Sequence, residues 1–352
     1  MRGRGSAGDR AAARAGWLYF AVHFLVEVVT FYVLTAYVPE HTAWRLALLF
    51  DFFAFVPQGI YGYLRDAGIR VNFGVLGFCL LTAALGMAWA GLGAVPVILV
   101  LTIGNGMVHA EGAETTLRAS AGKIAPAALF VSGGSFGLIT GKLLAWGGAP
   151  AWLVLLPDLL MLPPVLLAAK AAPVRGEAEL RGYTFRNAAV PAAALVFAAA
   201  FVVAVRAYMG YGIPTSWNKT TAQTVALFCF MGLGKALGGV LTDKLGIRGT
   251  ALISTLGALP FLLLGDRLML VSLFGVLLFS MTMAVTLALL ASALPRLPGV
   301  AFGLTTVGLF VGTFAVAFWR PAVFAENCAV VAALTLLSAV ILLFICKKEE
   351  KK

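Results

Sequence analysis

Ionisable side chains interrupt the long apolar runs of this 352-residue sequence, and they are its first candidates for chemistry. Glu27 and His23 stand four residues apart, so a helix places them on one face. Inserting such a group near the centre of a bilayer costs roughly 2.5–3.5 kcal/mol, so it should face a cavity or a partner. Burial favours a protonated carboxylic acid, a nearby cation favours the carboxylate, and His titrates near neutral pH. These two residues are therefore predicted to load and release a proton.

A second set of polar residues lies in other apolar runs and is predicted to line a substrate cavity. Its members are Asp51, Gln58, Asn105, His109 and Lys235. Asn105 and His109 share one helix stripe and could hydrogen-bond a substrate or relay protons. A cation at Lys235 would attract an anionic substrate, but a Lys near a membrane face can also extend its ammonium to water. Both interpretations of Lys235 stay open.

Another stripe of the same predicted helix carries Glu111, Glu114 and Arg118. Glu114 and Arg118 have the i, i+4 spacing of an ion pair, so this stripe is predicted to anchor the end of the helix.

Apolar helices must position all of these residues. The sequence is 61% hydrophobic and only 12% charged, whereas soluble domains are about half apolar and a quarter charged. This composition leaves no room for a large soluble catalytic domain. Apolar runs bounded by charged or turn residues predict an all-α membrane protein with twelve transmembrane helices, of which the last four carry almost no polar groups. The predicted spans are 16–38, 43–64, 71–91, 94–115, 123–146, 149–169, 188–211, 220–241, 249–265, 268–292, 299–319 and 326–346.

The distribution of positive charge predicts the orientation of these spans. Most of the 26 Lys and Arg residues fall on the side that carries both termini. The opposite loops carry only Arg45, Lys219, Arg267 and Arg320. The positive-inside rule therefore predicts cytoplasmic termini, and the Arg, Ala and Gly content suggests the plasma (inner) membrane of a bacterium. The excess of Lys and Arg in the cytoplasmic loops accounts for the net charge of +11, so the lipid bilayer is the predicted partner and a nucleic acid is not.

A short pattern occurs twice, at an offset of about half the chain: GYLRDAGIR at 62–70 and GVLTDKLGIR at 239–248. The repeat predicts two pseudo-symmetric six-helix bundles, residues 1–169 and 188–352, joined by a polar cytoplasmic linker at 170–187. Within each copy, Gly permits close helix approach, Asp can cap the next helix, and Arg can pair with Asp. We predict a role in gating for this motif, through Gly62, Asp66, Arg70, Gly239, Asp243 and Arg248.

The repeat also suggests a partner for Glu27. An offset of 177 makes Ala204 its counterpart, two positions from Arg206. We therefore predict a contact between Glu27 and Arg206 in one conformation and include Arg206 in the proton-coupling set. A static buried ion pair that fixes helix packing is the alternative.

The second copy of the motif resembles the G-x-x-x-D-[RK]-x-G-x-[RK] loop of the major facilitator superfamily, and the first copy is one residue shorter. Four further segments resemble the fosmidomycin-resistance branch: HFLVE at 23–27, GNGMVH at 104–109, FVSGGSFGLITG at 130–141 and RAYMG at 206–210. That branch more often has Asp where Glu27 stands and Pro where Ala110 stands. The resemblance implies two bundles around a cavity that opens alternately to each side.

The favoured function is secondary active transport, with proton-coupled export of a small amphipathic or anionic compound by a monomer. Proton-coupled uptake of a metabolite is an alternative because the same groups serve either direction. A transporter-like membrane receptor that no longer transports is another, although such a protein could dispense with the buried charges. The sequence has no nucleophile motif, phosphate loop or metal-ligand spacing, so no enzyme, metal or cofactor is predicted. The four cysteines lack a paired spacing and are predicted to be packing residues.

Overall fold

A computed structural model describes residues 7–39, 43–120, 122–171 and 189–346 of the chain, and helices form the regular structure of these ranges. The N-terminal half contains α1 (Ala7–Tyr37), α2 (Ala43–Phe55), α3 (Gln58–Asp66), α4 (Phe73–Trp89), α5 (Ala94–Arg118), α6 (Ala125–Trp146) and α7 (Ala151–Ala171). The C-terminal half contains α8 (Ala192–Gly210), α9 (Thr221–Leu252), α10 (Leu259–Leu264), α11 (Met269–Ser280), α12 (Thr282–Ala293), α13 (Pro298–Phe318) and α14 (Phe324–Ile345). A π-helical turn, Ile253–Gly257, joins α9 to α10.

The described residues provide twelve membrane crossings, as the sequence predicts. Nine helical segments are long and apolar enough to span a bilayer, and two shorter apolar helices lie at Phe73–Trp89 and Ala151–Leu167. The longest segment, Thr221–Arg267, has 47 residues, about 70 Å as one helix, more than twice the roughly 30 Å of a hydrocarbon core. It breaks at Gly246, where φ is 75° and ψ is 170°, so it makes two crossings. The prediction of an all-α membrane protein is confirmed.

Several predicted boundaries differ from the observed ones. The second span is divided into α2 and α3 at Pro57, because proline lacks the N–H that a continuous helix needs. The first helix begins at Ala7, before the predicted apolar span, and Asp9 near its start accepts a hydrogen bond from Lys123 Nζ at 2.7 Å. The predicted linker 170–187 falls almost entirely outside the described residues, since α7 ends at Ala171.

Glycines bring helices into backbone contact in the same way in both halves. On α6, a Cβ at Gly133, Gly137 or Gly141 would overlap successive carbonyls of α1. On α13, a Cβ at Gly308 or Gly312 would meet two carbonyls of α8 that lie one turn apart. Small residues allow such close approach in membrane bundles. This shared packing supports the pseudo-symmetry of the two halves.

Candidate binding site in the central cavity

A cavity of about 330 Å³ lies between the two halves, a volume that suits a small molecule. Helices α1, α2, α3, α5 and α6 line it from one side, and α8, α9, α12 and α13 from the other. The structure brings together all five residues predicted for a substrate cavity, and with them two of the predicted proton-coupling residues. These seven lining residues are His23, Glu27, Asp51, Gln58, Asn105, His109 and Lys235.

Four of the lining residues form what we call the cavity cluster: His23 and Glu27 on α1, with Asn105 and His109 on α5. Glu27 is 8% exposed. Its Oε1 accepts a hydrogen bond from Asn105 Nδ2 at 3.0 Å and lies 3.2 Å from His109 Nε2 and 3.7 Å from His23 Nε2. A buried carboxylate is thus held by side chains of its own half.

Backbone carbonyls fix the two imidazole rings. His23 Nδ1 lies 2.9 Å from Phe130 O, and His109 Nδ1 lies 2.8 Å from Asn105 O. The Nε2 atoms of the two rings then face one another at 2.8 Å. A Cβ at Gly134 would overlap the His23 ring, so glycine at this position on α6 makes room for the cluster.

The predicted contact between Glu27 and Arg206 is not made in this conformation. Among the described residues, the ion-pair partners of Glu27 are His23 and His109. Arg206 Nε is buried and has no hydrogen-bond partner among the described residues. Asn105 and His109 of α5 are the neighbours of the carboxylate instead. Arg206 lies outside the cavity lining, so its predicted coupling role stays a prediction.

Lys235 is the cation that the C-terminal half presents to the cavity. Its Nζ donates a hydrogen bond to Ser135 Oγ at 2.8 Å, so it joins α9 to α6 across the two halves. Lys235 therefore reaches the cavity in this conformation, which favours the first of its two interpretations.

The C-terminal wall also carries hydroxyl groups that are not among the predicted cavity residues. Thr305, Thr306, Thr313 and Tyr211 line the cavity. Thr306 Oγ1 donates to Phe55 O at 2.9 Å, across the two halves. One of the last four predicted spans, α13, thus contributes polar groups to the cavity, because three of its threonines line it. The available signal was that Thr306 and Thr313 stand seven residues apart in an apolar run, about two helical turns, and so share one face.

At one end of the cavity, the two motif loops hold the halves together. A Cβ at Gly62 on α3 would overlap the backbone of Gly299 at the start of α13, and the reverse is also true. Asp66 Oδ1 accepts from Gly299 N at 3.1 Å, and Asp66 Oδ2 accepts from Val300 N at 2.9 Å. We call this end the motif end.

The second motif copy repeats these contacts. Asp243 accepts hydrogen bonds from Ile124 N at 2.7 Å and Ala125 N at 3.0 Å, at the start of α6. Gly239 packs on Ala125 and Ala128 of the same helix. The prediction that each Asp caps the next helix is therefore wrong, since both cap a helix of the opposite half. Carboxylates are favoured at these helix N-termini by the helix dipole and the unpaired N–H groups.

The arginines of the motif have other partners than predicted. Asp66 pairs with Arg118 of α5 at 3.1 Å, while Arg70 is exposed. Arg248 donates to Leu343 O and Cys346 O at the end of α14, each at 3.1 Å. Neither Arg70 nor Arg248 is therefore the ion-pair partner of its motif Asp.

A larger group of charges lies beside the first motif copy, and we call it the anchor cluster: Arg65, Asp66, Glu111, Glu114 and Arg118. The predicted ion pair between Glu114 and Arg118 is present. Arg65 is fully buried and pairs with Glu111 at 3.1 Å and Glu114 at 2.8 Å. Arg65 was not among the predicted site residues, although two acids on one predicted stripe, Glu111 and Glu114, were a signal that a buried cation faces them.

A helical chain with twelve crossings, in two pseudo-symmetric halves around a central cavity, has the major facilitator fold. Among solved structures, the human organic anion transporter MFSD10 (TETRAN) is similar, with a TM-score of 0.66 over 94% of this chain and 99% of that one. The sequence identity is 15%, so this likeness shows the fold. The sequence matches no family model and no curated protein. The resemblance to the fosmidomycin-resistance branch stays a prediction, because the likeness to MFSD10 shows only the shared fold.

Proposed function

We propose that the protein is a secondary active transporter that works by alternating access and exports a small amphipathic or anionic compound in exchange for protons. The observation that carries this proposal is the buried carboxylate of Glu27, which lies beside two imidazoles in the wall of a cavity between the two halves. Buried ionisable groups in a membrane bundle are costly and mark ion or substrate pathways.

The contacts at the motif end support alternating access. Two aspartates cap helices of the opposite half, and facing glycines bring α3 and α13 into backbone contact. Such contacts can be broken together when the halves move apart, because each of them joins one half to the other. We propose that they close one side of the cavity here and separate in the alternate state.

The cation of the C-terminal wall favours an anionic compound on that side of the cavity. Lys235 lines the cavity, and Arg206 is buried with its Nε unpaired among the described residues. The similar structure is also that of an organic anion transporter. We propose that a proton taken up by the Glu27 carboxylate weakens its contacts with the cavity cluster, and that Glu27 then meets Arg206 in the alternate state, where the guanidinium favours the carboxylate and the proton is released.

We further propose that the protein works as a monomer with both termini in the cytoplasm, in a bacterial plasma membrane. The positive charge bias of its loops supports this orientation.

The test is an accumulation assay in an efflux-deficient bacterium, with labelled antimicrobials and anionic metabolites, with and without a protonophore. The variants are wild type and Glu27→Gln. Two acid-to-amide controls are Asp158→Asn, which lies in α7 beside Thr82 and outside the cavity lining, and the exposed Glu326→Gln. Expression of each variant is measured by tag fluorescence.

Lower accumulation that needs both Glu27 and the proton gradient supports proton-coupled export and identifies the compound class. Higher gradient-dependent accumulation shows uptake and overturns the proposed direction. Transport that Glu27→Gln leaves unchanged at every pH overturns the proton role. No transport of any compound tested favours the receptor alternative.

A further inference from the structure

The two histidines of the cavity cluster have converging lone pairs. Each Nδ1 faces a backbone carbonyl, at 2.9 Å for His23 and 2.8 Å for His109. A carbonyl oxygen only accepts, so each Nδ1 carries the hydrogen and each Nε2 of a neutral ring is an acceptor. These two acceptors nevertheless lie 2.8 Å apart. A cation is needed between them.

A third donor atom points to the kind of cation. Glu27 Oε1 lies 3.2 Å from one Nε2 and 3.7 Å from the other, so three electron-pair donors surround one point. A single proton joins only two of them. Tetrahedral Zn²⁺ has bonds of about 2.0–2.1 Å, which separates neighbouring ligand atoms by about 3.3 Å. The three observed separations lie within about 0.5 Å of that value, so small side-chain shifts would complete the geometry.

The supporting hydrogen bonds also fit a metal site. A His that binds a metal almost always donates its other ring N–H to a carbonyl or carboxylate, and a ligating carboxylate is itself hydrogen-bonded. Both rings donate to carbonyls here, and Asn105 Nδ2 donates to Glu27 Oε1 at 3.0 Å. Sequence spacing conceals the set because His23 and His109 are 86 positions apart, on two helices.

We propose that His23, Glu27 and His109 form a binding site for Zn²⁺ or a similar divalent transition-metal ion. Three protein ligands leave the fourth position of a tetrahedron, and all three residues line the cavity, so water or a small anion can occupy that position. Lys235 in the opposite wall favours an anion there. Mg²⁺ and Ca²⁺ prefer oxygen ligands and bind this set weakly. A bound Zn²⁺ ion occupies the side chains that the proposed proton coupling uses, so we expect Zn²⁺ to inhibit transport. This last consequence rests on the proposed function, whereas the metal site itself does not.

Metal binding is tested directly on the full chain, purified in detergent with an affinity tag that contains no histidine. Titration calorimetry measures Zn²⁺, and visible absorption measures Co²⁺. We expect one ion per chain and a tetrahedral Co²⁺ spectrum without a thiolate charge-transfer band, which separates this site from binding by the four cysteine thiols. His23→Gln, His109→Gln and Glu27→Gln should each weaken binding by about 100-fold or more, since even a lost supporting group costs 10–100-fold.

The controls Asp158→Asn and Glu326→Gln should bind the metal as wild type does, and size-exclusion profiles verify that each variant is folded. Wild type without stoichiometric binding at millimolar Zn²⁺ overturns the proposal, as does unchanged binding in both His variants. Zn²⁺ binding by a protein that transports none of the compounds tested supports the metal site and counts against the proposed function. Proton-coupled transport without Zn²⁺ binding supports the function and overturns the metal site.

Discussion

Two polar clusters share helix α5, and they differ in how their charges are compensated. In the anchor cluster, Arg65 and Arg118 alternate with Glu111, Glu114 and Asp66, and the pairs lie at 2.5–3.1 Å. In the cavity cluster, the Glu27 carboxylate lies beside two imidazoles and accepts a hydrogen bond from the Asn105 amide. Compensated charges stabilise one arrangement of helices, whereas a carboxylate with titratable neighbours can change its charge. The first cluster is therefore expected to control stability, and the second to control transport.

The largest expected effect comes from the anchor cluster. Arg65→Met leaves Glu111 and Glu114 buried without their shared cation, and breaking a buried pair costs about 3–5 kcal/mol. We expect a large fall in folded yield and in the melting temperature, measured by fluorescence-detected size exclusion. Arg70→Met is the matched control, because Arg70 is exposed in the loop that follows α3. Equal melting temperatures for the two variants would contradict a stabilising role for the anchor cluster.

The second-largest expected effect comes from the cavity cluster, and it is on transport and not on stability. Glu27→Gln keeps an acceptor for Asn105 Nδ2 but cannot exchange a proton. We therefore expect transport to fall about 100-fold, as for the loss of a proton-transfer group, with little change in melting temperature. The two properties are measured on the same preparations. If Glu27→Gln destabilises the protein as much as Arg65→Met does, the two clusters do not have separate roles.

The residues of the cavity cluster could be predicted from sequence because their physical signal is local, but the contacts that join α1 to α5 could not. Each ionisable residue of the cluster interrupts an apolar span, and the cost of burial requires a cavity or a partner. Arg65 carries no such signal, since it lies beside a loop where cations are common. Only the packing of α3 against α5 buries it between two acids.

The partners of the motif aspartates could not be predicted for a different reason. Capping of a following helix is encoded by short spacing, but the helix that Asp66 caps begins at Pro298, in the other half of the chain. The apolar runs predict the helices well, and they contain no information about which helix ends meet. The same limit applies to Glu27, whose predicted partner was chosen from the repeat offset alone.

The third-largest expected effect comes from the motif end, where a substitution should shift the equilibrium between the two conformations of the cavity. A side chain at Gly62 would overlap the Gly299 backbone, and such overpacking costs about 1–3 kcal/mol. We expect Gly62→Val to destabilise the state with a closed motif end. The measurement is thiol labelling of a Cys at Phe302, a cavity position, in a background without the native cysteines. Labelling should increase about 5- to 150-fold.

The control for that experiment is Gly86→Val, where a Cβ on α4 meets no neighbour among the described residues. Equal labelling of the two variants would show that the contact between Gly62 and Gly299 does not close the motif end.

The smallest effect tests whether substrate charge is recognised outside both clusters. Lys235 is the cavity cation of the C-terminal half, so Lys235→Gln removes attraction for an anion but leaves the cavity cluster intact. We expect the KM for an anionic compound to rise about 10-fold, which corresponds to 1.4 kcal/mol, with unchanged KM for a neutral compound. Lys142→Gln is the matched control, because Lys142 lies over the Phe31 and Phe228 rings and outside the cavity lining. An equal rise for neutral and anionic compounds would mean that Lys235 maintains the shape of the cavity through Ser135, and substrate selectivity would then depend on the hydroxyl groups of α13.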